Sequence, residues 1–179
     1  AARASRRAAV RAMRVHVLER EQWIPADRDR VFGFFSDAAN LEAITPPLLR
    51  FRVVTPGPID MRVGTLIQYR LRLRRVPATW KTLIQDWTPS RRFVDTQLSG
   101  PYALWHHTHT FDPLPGGRTL MTDTVRYAIG LGPLGEVAHR ALVRRDVEAI
   151  FDYRREALVP LLARDVTRPE PQPGRRTQD

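Results

Sequence analysis

RRFVDTQLSGPYALWHHTHTFDPLPGGRTLMTDTVRYAI, residues 91–129, alternates polar and apolar residues with a period of two. That repeat belongs to β-strands with one buried face. Gly100-Pro101 and Pro115-Gly116-Gly117 break the alternation with turn chemistry, leaving strands over 91–100, 101–113 and 118–129. Strands joined by connections this short pair antiparallel, because a parallel pair needs a long crossover.

The same period extends toward the N-terminus through 49–56, 64–74 and 77–87, which adds three strands, and 14–25 reads as a first one. Between the first strand and the rest, Asp27 is placed to cap a short helix with Val31, Phe32, Phe34 and Phe35 on its apolar face. Asp37 is placed to cap a second, carrying Leu41 and Ile44 and stopped at Thr45-Pro46-Pro47. Beyond Gly130-x-Gly132-Pro133-Leu134-Gly135, a turn into the next element, the period becomes helical. Leu134, Val137, Ala138, Ala141, Leu142, Val147, Ile150, Phe151, Leu158 and Leu161 define one long amphipathic helix over 134–163. The expected fold is α+β: a helix-grip arrangement in which a curved seven-stranded antiparallel sheet wraps the long C-terminal helix, with two short helices after the first strand. The helix is the one element long enough to cover the buried face of such a sheet.

With 179 residues and 42% hydrophobic content, the chain suffices for one domain burying about two-thirds of its unfolded surface. The absence of cysteine excludes disulfides, thiolate metal sites and cysteine nucleophiles. No apolar run approaches the roughly 18 residues of a membrane span, and a cytoplasmic location is expected. The net charge of +10 is unevenly spread: residues 1–14 hold five Arg and no acid, and 164–179 a further +1, leaving an ordinary +4. Lys81 is the sole lysine, so the charge reflects arginine usage rather than a clustered phosphate-binding patch, and no nucleic-acid partner is expected. Residues 1–13 read as a disordered Ala/Arg-rich leader, 14–163 as the folded domain and 164–179 as a disordered Pro-rich tail. The oligomeric state is not legible.

Three stretches, IPADRDRVFGFFSDAANLEAITPP (24–47), RRFVDTQLSGPYALWHHTHTF (91–111) and RTLMTDTVRYAIGLGPLG (118–135) with IFDYR (150–154), resemble the START-like (SRPBCC) superfamily. More narrowly, they look like its polyketide cyclase-like and ligand-binding SRPBCC domain proteins, over roughly residues 14–160. The resemblance implies a cavity between sheet and C-terminal helix that holds an apolar small molecule. It implies no shared catalytic motif, so the activity must be argued from the site.

Strand parity indicates what lines such a cavity. In 118–129, Met121, Val125, Tyr127 and Ile129 share a face with Asp123; in 101–113, Trp105 and Phe111 share one with His107 and His109, turning His106 outward. Neighbouring strands add Phe93, Asp95 and Gln97, then Trp80, Thr82 and Ile84, then Ile67, Tyr69, Leu71 and Leu73. The expected ligand-binding set is Tyr69, Trp80, Thr82, Asp95, Gln97, Trp105, His107, His109 and Asp123 from the sheet, with Phe151 and Arg154 from the helix. Trp23 and Trp87, near strand ends, are expected in the core or at its rim, and Arg144, Arg145 and Arg155 on a solvated helix face.

Two readings compete for the polar centre of that set, and they are compatible. It is a satisfied buried network, the polar end of a ligand pocket, or both. His-x-His with a nearby carboxylate also matches a metal site, but no metal and no cofactor is expected. The leading function is binding or carriage of a lipid, isoprenoid or polyketide-like compound. The first alternative is a cyclase, dehydratase or isomerase with His107, His109 or Asp123 as candidate acid–base groups. The second is a ligand-controlled regulatory protein.

Overall fold

The computed structural model describes residues 14–130 and 132–164, with side chains as far as Leu162; the leader 1–13 and the tail 165–179 lie outside the described residues. The elements are β1 (His16–Ile24), α1 (Arg28–Phe35), 3₁₀ turns at Ala38–Leu41 and Pro47–Leu49, and then six strands. These are β2 (Arg52–Val53), β3 (Leu66–Leu73), β4 (Val76–Thr88), β5 (Arg92–Ser99), β6 (Leu104–Leu114) and β7 (Arg118–Ala128). A helical segment follows: α2 (Gly132–Ala138), a π-helical stretch (His139–Val143) and α3 (Arg144–Arg164). The strands form one antiparallel sheet in the order β1-β7-β6-β5-β4-β3-β2, a helix-grip fold as expected.

Three local expectations are corrected. The strand proposed for 49–56 shrinks to Arg52–Val53, because Pro47 initiates a 3₁₀ turn that ends with Arg50 in the left-handed region (φ 44°). Asp27 stands at the N-cap of α1 without a side-chain hydrogen bond, whereas Asp37 does cap its turn, accepting from the Ala39 amide. Trp23 is exposed, over Arg118, while Trp87 packs against Phe32 and Phe93.

The helix carries a larger correction. One apolar stripe along 134–163 would bury Leu134, Val137 and Leu142, yet all three are exposed; Gly135 and His139 are buried in their place. The π turn inserts an extra residue, which rotates the apolar stripe by about 100° relative to an uninterrupted α-helix. Beyond it Val147, Phe151, Leu158 and Leu162 face the sheet. The helix begins at Gly132 because Gly135 packs against the end of β7: a Cβ there would lie 1.9 Å from the Gly130 carbonyl oxygen.

The core falls into three groups around the concave face. Phe32, Phe35, Phe93, Phe111, Leu158 and Leu162 join α1 and α3 to the sheet. Tyr102, Trp105, Tyr127, Val147 and Phe151 fill the β6–β7 end. Ala38, Ile67, Tyr69 and Ile84 support the β3–β4 end. Arg30 donates to the Leu162 carbonyl and ties α1 to α3. No helix among the described residues is long and apolar enough to cross a membrane.

The rotated stripe gives an asymmetric expectation. Leu158→Ala removes a fully buried side chain and should cost about 2–5 kcal/mol. Val137→Ala, on the exposed side before the π turn, should stay within about 0.5 kcal/mol of the parent. Urea unfolding of both variants checks it; similar losses would mean that the helix packs as one continuous stripe.

Candidate functional site

The register of three central strands places the polar residues opposite one another. Asp95 on β5 pairs with His107 on β6, and His109 on β6 pairs with Asp123 on β7. Because all four lie on the concave face, they meet between sheet and helix as a single cluster. His107 Nε2 is 2.9 Å from Asp123 Oδ1, and His109 Nε2 is 3.1 Å from Asp95 Oδ2. Two further contacts close the square: His109 Nδ1 to Asp123 Oδ1 at 2.8 Å and His107 Nδ1 to Asp95 Oδ2 at 3.5 Å. The His109 Nδ1 contact is an ion-pair distance without the alignment of an N–H···O bond. Phe93 stacks on His109 at 4.0 Å, and the two imidazole centroids are 3.7 Å apart.

Burial and proximity drive the imidazoles apart in protonation. His107 is pushed down to about 4, first by burial and then by its neighbour His109, against the pull of the two carboxylates. Burial also disfavours charge on His109, but Asp123 and Asp95 outweigh it and raise its pKa above the ordinary histidine value. Both aspartates are held below the carboxylate range: burial opposes this, and the histidines overcome it. The two imidazoles are thus shifted in opposite directions, His107 toward the neutral form and His109 toward the charged form, beside two carboxylates.

A cavity of about 130 Å³ opens beside the cluster. Its walls include Tyr69, Trp80, Thr82 and Trp105 from the sheet, with Phe151 and Arg154 from α3. Asp95, His107 and His109 reach it as its polar end. Two expected residues do not. Gln97 folds over the β5–β6 turn, its Nε2 donating to the Tyr102 carbonyl at 2.6 Å; Gly100 makes room for it, since a Cβ there would lie 2.4 Å from Gln97 Oε1. Asp123 is one strand further along and stands behind the histidines, holding them without lining the space.

The cavity also takes walls that strand parity could not supply: Phe35 from α1 and Leu41, Leu49, Phe51 and Met61 from the irregular 36–65 segment. Phe35 and Leu41 are legible as apolar faces of the two short helices, and Leu49 and Phe51 as part of the strand read over 49–56, but none of those readings turns them to the cavity; Met61 carries no periodic signal. Two donors at the wall lack acceptors among the described residues. Trp80 Nε1 is buried and unpaired, as are Nε and Nη1 of Arg154, whose guanidinium lies 4.8 Å from the Phe151 ring. Asp95, His107 and His109 bring three potential metal-ligand atoms within 4.8 Å, although both imidazole Nε2 atoms already engage carboxylates.

Comparison with known families matches residues 15–162 to the family described as polyketide cyclase / dehydrase and lipid transport. Comparison with curated protein sequences finds no significant match. Among solved structures, the Zhui aromatase/cyclase from Streptomyces sp. R1128 superimposes with a TM-score of 0.69 at 18% identity, covering 86% of this chain and 96% of that one. A norcoclaurine synthase point mutant from Thalictrum, in complex with a transition-state analogue, gives 0.64 at 13% identity, covering 87% and 98%. A protein from Thermus thermophilus gives 0.62 at 18%, covering 85% and 100%. At these identities the structures share the fold.

The split imidazole pair can be observed directly. At pH 5.5, ¹⁵N spectra of histidine-labelled protein should show His107 neutral and His109 doubly protonated; two buried imidazoles titrating together near 6.5 would contradict the assignment. The linked stability has a definite sign for each group. Between about pH 6.5 and 4 the unfolded chain protonates His107 while the folded one does not, so that contribution falls as pH falls. The His109 contribution is complete below its unfolded value and is lost as pH rises through the raised one.

Proposed function

We propose, for a chain that belongs to the polyketide cyclase / dehydrase and lipid transport family, that the cavity binds a hydrophobic small molecule bearing an acceptor oxygen. One observation carries the reading: an apolar cavity whose wall holds buried donors, Trp80 Nε1 and Arg154 Nε and Nη1, without acceptors among the described residues. A buried donor left unpaired costs roughly 1–3 kcal/mol, which a ligand carbonyl or carboxylate would relieve. The aromatic walls supply the apolar contact, and the His107–His109 end supplies orientation. At about 130 Å³ the space is on the scale of voids that accept a single aromatic ring. A lipid, isoprenoid or polyketide-like ligand of larger size would displace the 36–65 segment, which forms the irregular wall. Binding and carriage is the function these features support best.

A second reading, acid–base catalysis of the cyclase or dehydratase type, is favoured by the opposite directions in which their surroundings shift the two imidazoles. Groups of one kind whose surroundings separate their pKa values make an acid and a base in one site. In that reading the His109 Nε2–H turns from Asp95 to a ligand oxygen as its electron density rises, and His107 accepts a proton at Nδ1, 3.5 Å from Asp95, from an adjacent carbon or hydroxyl. Asp123, behind both, would act as a positioning residue.

An environment-sensitive apolar dye should bind at about one per chain, and Thr82→Trp should abolish that binding with the fold intact by circular dichroism. Thr82 is buried and at the wall, so an indole there fills the space. Undisturbed dye binding in that variant would remove the cavity from consideration. His109→Gln separates the two readings: a carrier loses about 1 kcal/mol of affinity, and an acid–base enzyme loses roughly 10²–10⁴ in rate on its substrate.

A further inference from the structure

A second cluster of ligating side chains stands apart from the cavity, where the start of β1 meets the C-terminal helical segment. His16 comes from β1, Glu136 from α2 and His139 from the first position of the π turn. One potential ligand atom from each lies within 4.8 Å of the other two. The rings of His16 and His139 are stacked, with centroids 3.4 Å apart and an interplanar angle of 13°; the half-buried His16 ring must turn out of this stack for both in-plane lone pairs to meet at one ion. His16 Nε2 is 3.2 Å from Glu136 Oε2.

We propose that His16, Glu136 and His139 form a binding site for a zinc-type divalent cation, with two imidazoles and one carboxylate as ligands. This site is independent of the reading of the cavity. Two imidazoles with a carboxylate are a borderline-soft donor set suited to Zn²⁺ and its neighbours rather than to Mg²⁺ or Ca²⁺. An open coordination position would be filled by water.

The surroundings are those of a held ligand set. The Tyr127 hydroxyl is 2.9 Å from His139 Nε2, which fixes the ring and leaves Nδ1 as the free nitrogen. That Nδ1 is buried and has no partner among the described residues, in a side chain that is itself 5% exposed. A buried nitrogen without a partner is costly, and a cation would satisfy it. Glu136 is oriented in the same manner: Arg14 and Arg140 lie 3.4 and 3.5 Å from its Oε1, so Oε2 is the oxygen turned to the imidazoles. Outer partners that orient ligands in this way typically change metal affinity 10–100-fold when removed. Both arginines are largely exposed, so solvent screens their repulsion of a cation.

Backbone geometry sets the spacing. Glu136 and His139 are three apart, on one helical face. The contact of Gly135 with the Gly130 carbonyl brings that face down against the sheet beside Tyr127 and His16. The π turn that begins at His139 then lets α3 resume with its own stripe toward the cavity. Insertions of this type occur frequently at functional sites.

Chelator-stripped protein titrated with Zn²⁺ against a chromophoric competitor should take up about one equivalent, with a rise in melting temperature of about 5 °C or more at saturation. His16→Gln and Glu136→Gln are at partly exposed positions and should fold; each should weaken binding roughly tenfold or more. His107→Gln with His109→Gln should leave the uptake unchanged. Less than a fifth of an equivalent bound by the parent protein overturns the proposal. Uptake that survives His16→Gln but disappears in the His107, His109 double variant overturns it too, by assigning the metal to the cavity cluster.

Discussion

Two imidazoles and two carboxylates occupy one buried space between three neighbouring strands, and much of the structure follows from keeping them there. Each ion alone would be strongly disfavoured away from water. Together they are tolerated because each histidine reaches both aspartates, at 2.8 to 3.5 Å. The arrangement needs the register Asp95↔His107 and His109↔Asp123. A slip of β6 by one residue would turn both histidines to the outer face together with Trp105 and Phe111, leaving the two aspartates buried without partners. The tight β6–β7 connection and the Gln97 bracket over the β5–β6 turn act on the same register from opposite ends.

The network divides labour across the sheet. Asp123 is on the far side of the histidines from the cavity, and Asp95 reaches the cavity itself. Partners behind and beside the imidazoles fix their orientation at the polar end of the cavity. The rest of the wall is largely aromatic or aliphatic, with Trp80 Nε1 and Arg154 Nε and Nη1 as donors unpaired among the described residues. Such a space combines the apolar bulk and few directed polar groups of a small-molecule site. The fold by itself does not choose between holding a molecule and transforming it.

Much of this was legible in the residues. Alternation placed His107, His109, Asp95, Tyr69, Thr82 and Trp105 on one face, and the structure puts all six at the cavity. Parity overreached at Gln97 and Asp123: it predicts a face but not how far along the sheet the cavity extends or where a side chain folds over a turn. It read Leu49 and Phe51 as part of a strand over 49–56 that the structure shortens to Arg52–Val53, and it was silent on Met61 in the irregular segment beyond. The helical stripe misplaced Leu134, Val137 and Leu142, because a π turn has no signature in apolar spacing and shifts the phase of everything before it.

The sequence by itself determined the order of elements, the antiparallel sheet, the covering helix and the face on which the histidines lie. Those depend on short-range periodicity and turn chemistry, which each segment carries in its own residues. Tertiary structure alone decided which carboxylate meets which imidazole, how burial separates their protonation, and that His16 stacks on His139. These residues are brought together from strands and helices far apart in the chain: His16 and Glu136 are 120 positions apart. Contact across such distances is set by strand register, helix phase and the close approach of Gly135 to Gly130, all of which are properties of the packed whole.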